Sequence, residues 1–214
     1  MSAKVKRPRR YDSAGRQAAA QARRAAVVDT ARRLFVRDGF VATPIARIAD
    51  EAGVSEEMVY KAFGNKVALL REIREKALAG TGATHAEHRS DRMQAAATDA
   101  REIIRAWSVL AMEVAPRVAP VLLLVRDAAA SDPQLATLQD EMDAARLTRM
   151  THNARTLLNG GHLRKGITLD GATDVLWTYS SPELFELLVV RRGWSIERYG
   201  QFIADAMIAA LLPA

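Results

Sequence analysis

Residues 43–66 read TPIARIADEAGVSEEMVYKAFGNK. Thr43 has the chemistry of a helix N-cap and Pro44 fits the first helical turn, so a short helix is expected to open there with Ile45, Ile48 and Ala49 on its buried face. Ala52-Gly53-Val54-Ser55 follows as a tight corner. Gly53 lets two backbones approach closely, Val54 plugs the gap, and Ser55 caps a second short helix with Val59 and Phe63 inward. Two short helices joined by such a corner form a helix-turn-helix, whose second arm enters the major groove of duplex DNA.

Working outward, Gly64-Asn65 interrupts the second arm, and Asn65 caps a further helix carrying Val67, Leu70 and Ile73. Upstream, Arg16 to Arg37 contains neither Gly nor Pro, and Val27, Ala31, Leu34 and Phe35 mark one apolar face of a long helix ending at Asp38-Gly39. Residues 1–15 are polar and basic and read as a disordered arm. A loosening at Gly80-Thr81-Gly82 marks the expected domain boundary. Beyond it, helices are expected from Ala83 to Met93, Thr98 to Val114, Pro116 to Ala130, Pro133 to Leu158, Asp170 to Val190 and Ser195 to Leu212. No stretch alternates strictly between apolar and polar, so no sheet is expected. The fold class is all-α: an N-terminal three-helix helix-turn-helix domain with a linking helix, residues 16–79, then a larger all-helical domain, residues 80–214.

Charge divides the chain in the same way. Residues 1–79 carry 17 Lys/Arg against 9 Asp/Glu, a balance of +8, whereas residues 80–214 carry 14 against 16, a balance of −2. A polyanion partner is therefore expected for the front half alone, nucleic acid or a membrane surface. The chain has no cysteine, which excludes disulfides, thiolate metal sites and cysteine nucleophiles. Its longest apolar run, Val118 to Val125, is far shorter than the roughly twenty residues of a membrane span. The basic N-terminus is not followed by a signal-peptide core, so a cytoplasmic location is expected. No acid-base constellation, phosphate loop or nucleophile elbow occurs in residues 80–214. His85 and His88 have metal-ligand spacing without a completing cluster and read as surface histidines. Neither an enzyme nor a cofactor is expected.

Phe35, Gly39, Phe40, Thr43, Ile48-Ala49, Ala52-Gly53-Val54-Ser55, Tyr60, Phe63, Lys66 and Leu69 fall in the register of the tetracycline-repressor (TetR) family, which the chain resembles over residues 20–75. The resemblance implies phosphate contacts for Tyr60 and Lys66, with Thr43 a third candidate; Lys66 also stands at a helix start, where the dipole favours an anion. The alternatives are a half-buried core ring for Tyr60 and a solvated charge for Lys66. Base reading falls to the outward side of the second arm, with Ser55, Glu56, Glu57, Met58 and Lys61 as DNA-contacting candidates. The acidic pair either stabilises the helix start, worth about 0.3–1 kcal/mol each, or accepts a hydrogen bond from cytosine. Arg47 is a cationic contact or a partner of Asp50 or Glu51. The arm, residues 4–10, tracks the minor groove or phosphates, or is a solvated tail.

For the back half the resemblance implies an effector cavity and a dimer interface. Arg105, Trp107, Met112, Met150, Trp177, Tyr179 and Phe185 are candidates for lining a site for a small, mainly apolar effector, with plain core as the alternative. Ser180-Ser181-Pro182-Glu183 reads as a kink or a fresh helix start. Leu184, Leu187, Leu188, Ile203, Met207, Ile208 and Leu211 are candidates for the dimer interface. The whole is then expected to be a homodimeric repressor of a near-palindromic operator, released when an effector tilts the linking helix. An architectural DNA-binding protein without effector is the alternative, and a helical enzyme a remoter one.

Overall fold

The computed structural model describes residues 13–80 and 84–214. Ten helices run in chain order, and among the described residues there is no strand. They are α1 (Ser13–Asp38), α2 (Ile45–Ala52), α3 (Glu56–Phe63), α4 (Lys66–Ala79), α5 (Ala86–Ala96), α6 (Ala100–Ala129), α7 (Pro133–Asn159), α8 (Leu169–Tyr179), α9 (Pro182–Phe185), which continues into a π-helical turn (Glu186–Arg191), and α10 (Ile196–Leu211). The first helix begins within the stretch read as an arm, and residues 4–10 lie outside the described residues.

The corner forms, but Gly53 serves it through its left-handed backbone and not through close approach, since a Cβ there would meet nothing within 4 Å. Gly53 sits at φ 66°, and its N–H bonds back to the carbonyl of Asp50 while Val54 N–H bonds to Ala49. This paired arrangement is the usual glycine closure of a helix. Ser55 then caps α3 by accepting from Met58 N–H at 3.2 Å, and Asn65 caps α4 by accepting from Ala68 N–H at 2.7 Å. The start of α2 differs from the sequence reading. Pro44 occupies the capping position with an extended backbone, and the Thr43 hydroxyl caps nothing in α2. It donates instead to the Gly39 carbonyl at 2.8 Å, so it fastens the α1–α2 turn.

The back half holds one correction to the helix boundaries. A break before Pro116 is expected from the sequence, but α6 runs unbroken through Pro116 and Pro120. Each proline removes one helical donor. The buried row Val114, Val118, Ala119, Val121 and Val125 packs continuously on both sides of them, and this holds the helix together. At 30 residues, with a most apolar window of mean hydropathy 1.8, α6 is long and apolar enough to cross a membrane. Its contacts with α4, α5, α7, α9 and α10 are those of a central core helix. The Ser180–Pro182 break is a fresh start: Ser181 accepts from Leu184 N–H at 3.2 Å and Pro182 takes the first helical position.

Three apolar clusters result; the smallest joins Ala77, Ala86, Val114 and Val118 of α4, α5 and α6, and the first crosses the expected boundary. Val27, Leu34, Phe35, Ile48, Val59, Phe63, Leu69, Leu70 and Ile73 of the front half pack with Val121 and Val125 of α6 and Leu135, Leu138 and Met142 of α7. A bidentate pair, Arg71 with Glu141, braces the outside of the same junction. The second core gathers α6, α7, α8, α9 and α10 around Ile104, Leu157, Leu176, Tyr199, Ile203 and Leu211.

All three tryptophans lie in the back half, at 107, 177 and 194, while Leu34 is fully buried in α1. Leu34→Ala should cost about 2–5 kcal/mol. Because the first core is shared, it should lower the denaturation midpoint reported by tryptophan fluorescence. A fluorescence midpoint indifferent to that substitution would mean that the halves unfold separately.

Candidate nucleic-acid interface and adjoining cavity

The corner presents α3 with Val59 and Phe63 turned into the core and Ser55, Glu56, Glu57, Tyr60 and Lys61 exposed. Tyr60, 51% exposed, is no core ring. Lys61 stands exposed in the last turn of α3. Glu56 and Glu57 occupy the first turn, where they suit the helix dipole and remain open to a base edge. Met58 departs from the expectation: it is half-buried against the first core, because its place on the helix lies beside Val59 on the inward side. The far end of α3 is clamped by Arg24, which donates to the Ala62 carbonyl, lies 4.2 Å from the Phe63 ring centre and pairs with Glu72 at 2.9 Å.

Three expected phosphate or base contacts have other employment. Thr43 is fully buried, with its hydroxyl committed to the Gly39 carbonyl, so its side chain offers nothing to a backbone phosphate. Arg47 is tied to Asp38 at 3.0 Å and to Glu51 at 3.1 Å, and Arg33 joins the same Glu51 at 2.8 Å. These arginines hold the Glu51 carboxyl below its ordinary range, the Arg33 hydrogen bond first. Lys66 is not a freely solvated charge. Its ammonium donates to the Phe40 carbonyl and lies 4.1 Å from the Phe40 ring centre and 5.6 Å from that of Phe35. Burial pushes this lysine below its ordinary value, with Asp132 opposing the shift. A cation over two rings at this position fastens the start of α4 to the α1–α2 turn.

Behind the reading domain, a cavity of about 210 Å³ opens between α4, α5, α6, α7, α8 and α10. Of the seven effector candidates it brings together Trp107, Met150 and Tyr179. The other four are elsewhere. Arg105 lines a separate cleft near the C-terminal residues. Met112 packs against α10 at Gly200, where a Cβ would meet its sulfur. Trp177 lies beneath the Arg146 guanidinium at 4.1 Å. Phe185 is buried edge-on to Tyr199 at 5.6 Å. Sequence reasoning missed Arg74, Arg146, Arg149, Asn153 and Tyr199 on the cavity wall. Their convergence depends on how α4, α7 and α10 meet, and no local pattern announces it. Tyr199 is nearly fully buried, and burial pushes its phenol up to about 12.

The dimer candidates divide as well. Leu187 is 51% exposed and Leu184 half-buried, but Leu188, Ile203, Met207, Ile208 and Leu211 are buried in the second core of their own chain. Helical spacing identifies an apolar face without saying which neighbour covers it, and here α6 and α8 do. Val190 and Phe202, not singled out from sequence, are exposed on the same two elements as Leu187 and Ile203 respectively. His85, one of the two spaced histidines, caps α5 through its Nδ1.

A bihelical corner with an exposed second arm, sharing a core with a cavity-bearing helical half, makes the front of this chain a helix-turn-helix. Residues 27–73 match the family model described as bacterial regulatory proteins, tetR family. No curated protein matches the chain in sequence. Solved structures agree on the whole fold. SmeT in complex with triclosan superposes with a TM-score of 0.70 at 23% identity, covering 90% of this chain and 93% of that one. FadR from Bacillus subtilis in complex with stearoyl-CoA gives 0.71 at 16% identity, covering 87% and 98%. NalD, the secondary repressor of the MexAB-OprM multidrug efflux pump in Pseudomonas aeruginosa, gives 0.67 at 18% identity, covering 91% and 98%.

The different employments of the two lysines can be separated. Lys61→Ala should reduce by about one the slope of log affinity against log salt on a DNA duplex, leaving thermal stability unchanged. Lys66→Gln should cost about 1–2 kcal/mol of stability. Thermal melts and salt titrations of both variants check this, and a stable Lys66→Gln protein with a reduced salt slope would return Lys66 to the DNA contacts.

Proposed function

We propose that the chain is a homodimeric, cytoplasmic transcriptional repressor that binds a near-palindromic operator through α3 and leaves it when a small effector fills the cavity behind α4. It carries no catalytic role in this reading. The single observation that supports it best is the double duty of α4. Val67, Leu69, Leu70 and Ile73 belong to the core that holds the helix-turn-helix, while Arg74 and Leu78, one turn further on, line the cavity. A ligand that displaces the second pair moves the first, because a packed core transmits strain instead of absorbing it. The linkage need only be modest: coupling free energies between sites are typically about 1–3 kcal/mol.

The neighbours lend support from their own chemistry, since one was solved with triclosan and another with stearoyl-CoA, and a third is a repressor of an efflux pump. Dimerisation supplies what one copy lacks. A single α3 of eight residues reads too few base pairs for operator specificity, and two copies a DNA turn apart double the contact. Leu187 and Val190 with Phe202 are the exposed apolar side chains that a partner copy would cover.

The DNA flanking the gene provides the test. Fluorescence anisotropy should find a segment bound about a thousandfold or more tighter than random duplex at matched salt, and sedimentation should give a dimer. Equal affinity for both DNAs would favour an architectural protein held by phosphate contacts alone.

A further inference from the structure

The cavity wall is mostly apolar, with Trp107, Leu110, Val114 and Leu176 among its side chains. Four charged residues also reach it, Arg74, Arg146 and Arg149 against Glu87. Three of them have their charge met. Arg74 pairs with Glu75, Arg149 pairs with Asp91 at 2.7 Å, and Glu87 is exposed to solvent in the first turn of α5.

Arg146 is different. Its side chain is only 13% exposed. One terminal nitrogen, Nη1, donates to the Trp177 carbonyl at 2.6 Å and to the Ser180 hydroxyl at 3.3 Å, and the guanidinium lies over the Trp177 ring. The other, Nη2, has only Asp143 at a long 3.5 Å, a carboxylate that is itself about half exposed. From α9, Glu183 acts on Arg146 only through space, being 3.4 Å from Arg126. The Arg146 Nε is buried and has no hydrogen-bond partner. The Nε/Nη2 edge is therefore underpaired, with Nε itself closed off from the cavity space in this conformation. Elsewhere in this chain the same edge grips a carboxylate: Arg71 holds Glu141 through Nε and Nη2 at 3.0 Å each, and Arg37 holds Asp38 through the same pair at 2.8 Å each.

We propose that the effector is an amphiphilic acid, a slender apolar body with a carboxylate head that pairs with Arg146 once its guanidinium edge turns to the cavity. The proposal rests on the cavity being the effector site. A bidentate carboxylate supplies two charge-assisted hydrogen bonds to a cation that the fold leaves underpaired. A neutral hydroxyl supplies at most one ordinary bond, and a cationic head meets like charge in an apolar surround. The volume of about 210 Å³ lies below the roughly 300–1,000 Å³ of pockets for drug-sized ligands, which favours a single chain or small ring system.

The full-length protein is titrated with decanoate, decanol and decyltrimethylammonium below their micelle concentrations. Binding is read from the fluorescence of Trp107 and Trp177 and from release of the operator. Decanoate should bind about tenfold or more tighter than decanol, equivalent to about 1.4 kcal/mol, with the ammonium weakest. Arg146→Gln should bring decanoate down to the level of decanol and leave decanol unchanged, while Arg146→Lys, a point charge without the fork, should fall between. Decanol or the ammonium binding as well as decanoate to the unaltered protein overturns the proposal and leaves the cavity reading standing, a comparison that holds even if a variant misfolds. No binding of any of the three, with operator affinity unchanged, overturns both.

Discussion

The α6–α7 corner drives Val121, Val125, Leu135, Leu138 and Met142 into the same apolar core as α1, α2, α3 and α4. Small three-helix domains bury too little surface to be stable by a wide margin, and the front half of this chain gains much of its interior from the back half. The orientation of α3 is therefore set by a core to which both halves contribute. A rearrangement of α6 and α7 cannot leave the reading helix where it was without opening space in that core, and such cavities are costly.

Polar contacts mark the same junction from outside. Arg71 grips Glu141 across α4 and α7, Arg32 reaches the Arg117 carbonyl of α6, and Arg89 joins Glu113 while also touching the Ala79 carbonyl at the end of α4. Exposed ion pairs contribute little stability individually. Their value here is positional, since each spans an α4 or α1 position and a helix that also borders the cavity. Gly80 fits this scheme, for a Cβ there would meet the Glu113 carboxylate and the Arg89 guanidinium.

Much of the front half was legible because its determinants are local. Gly53 closes α2, Ser55 caps α3 and Asn65 caps α4, each through bonds to residues within a few positions. Roles that depend on distant residues were not legible. Lys66 carries the family's position and a surface charge, yet two rings from α1 and the turn after it claim the ammonium. Thr43 turned inward because an open carbonyl at Gly39 stands nearer than any outside partner. Arg47 found Asp38 as well as Glu51, and the first of these belongs to another helix.

The back half shows the same division more sharply. Its helices follow from periodicity and caps, and Pro116 inside α6 misled, because packing on both sides outweighed a missing donor. Which apolar face is core, which lines a cavity and which remains exposed is a different kind of fact. Ile203, Met207 and Leu211 have the spacing of an interface and are interior, whereas Arg146 has no distinguishing neighbour in sequence and lies on the cavity wall. The order of residues by itself determined an all-helical chain, the glycine corner, the exposed arm of α3 and the basic front, since hydrogen bonding within a turn and charge per residue are local quantities. Tertiary structure alone decided the shared core, the cavity and its underpaired arginine, because each exists only where helices far apart in the chain come into contact.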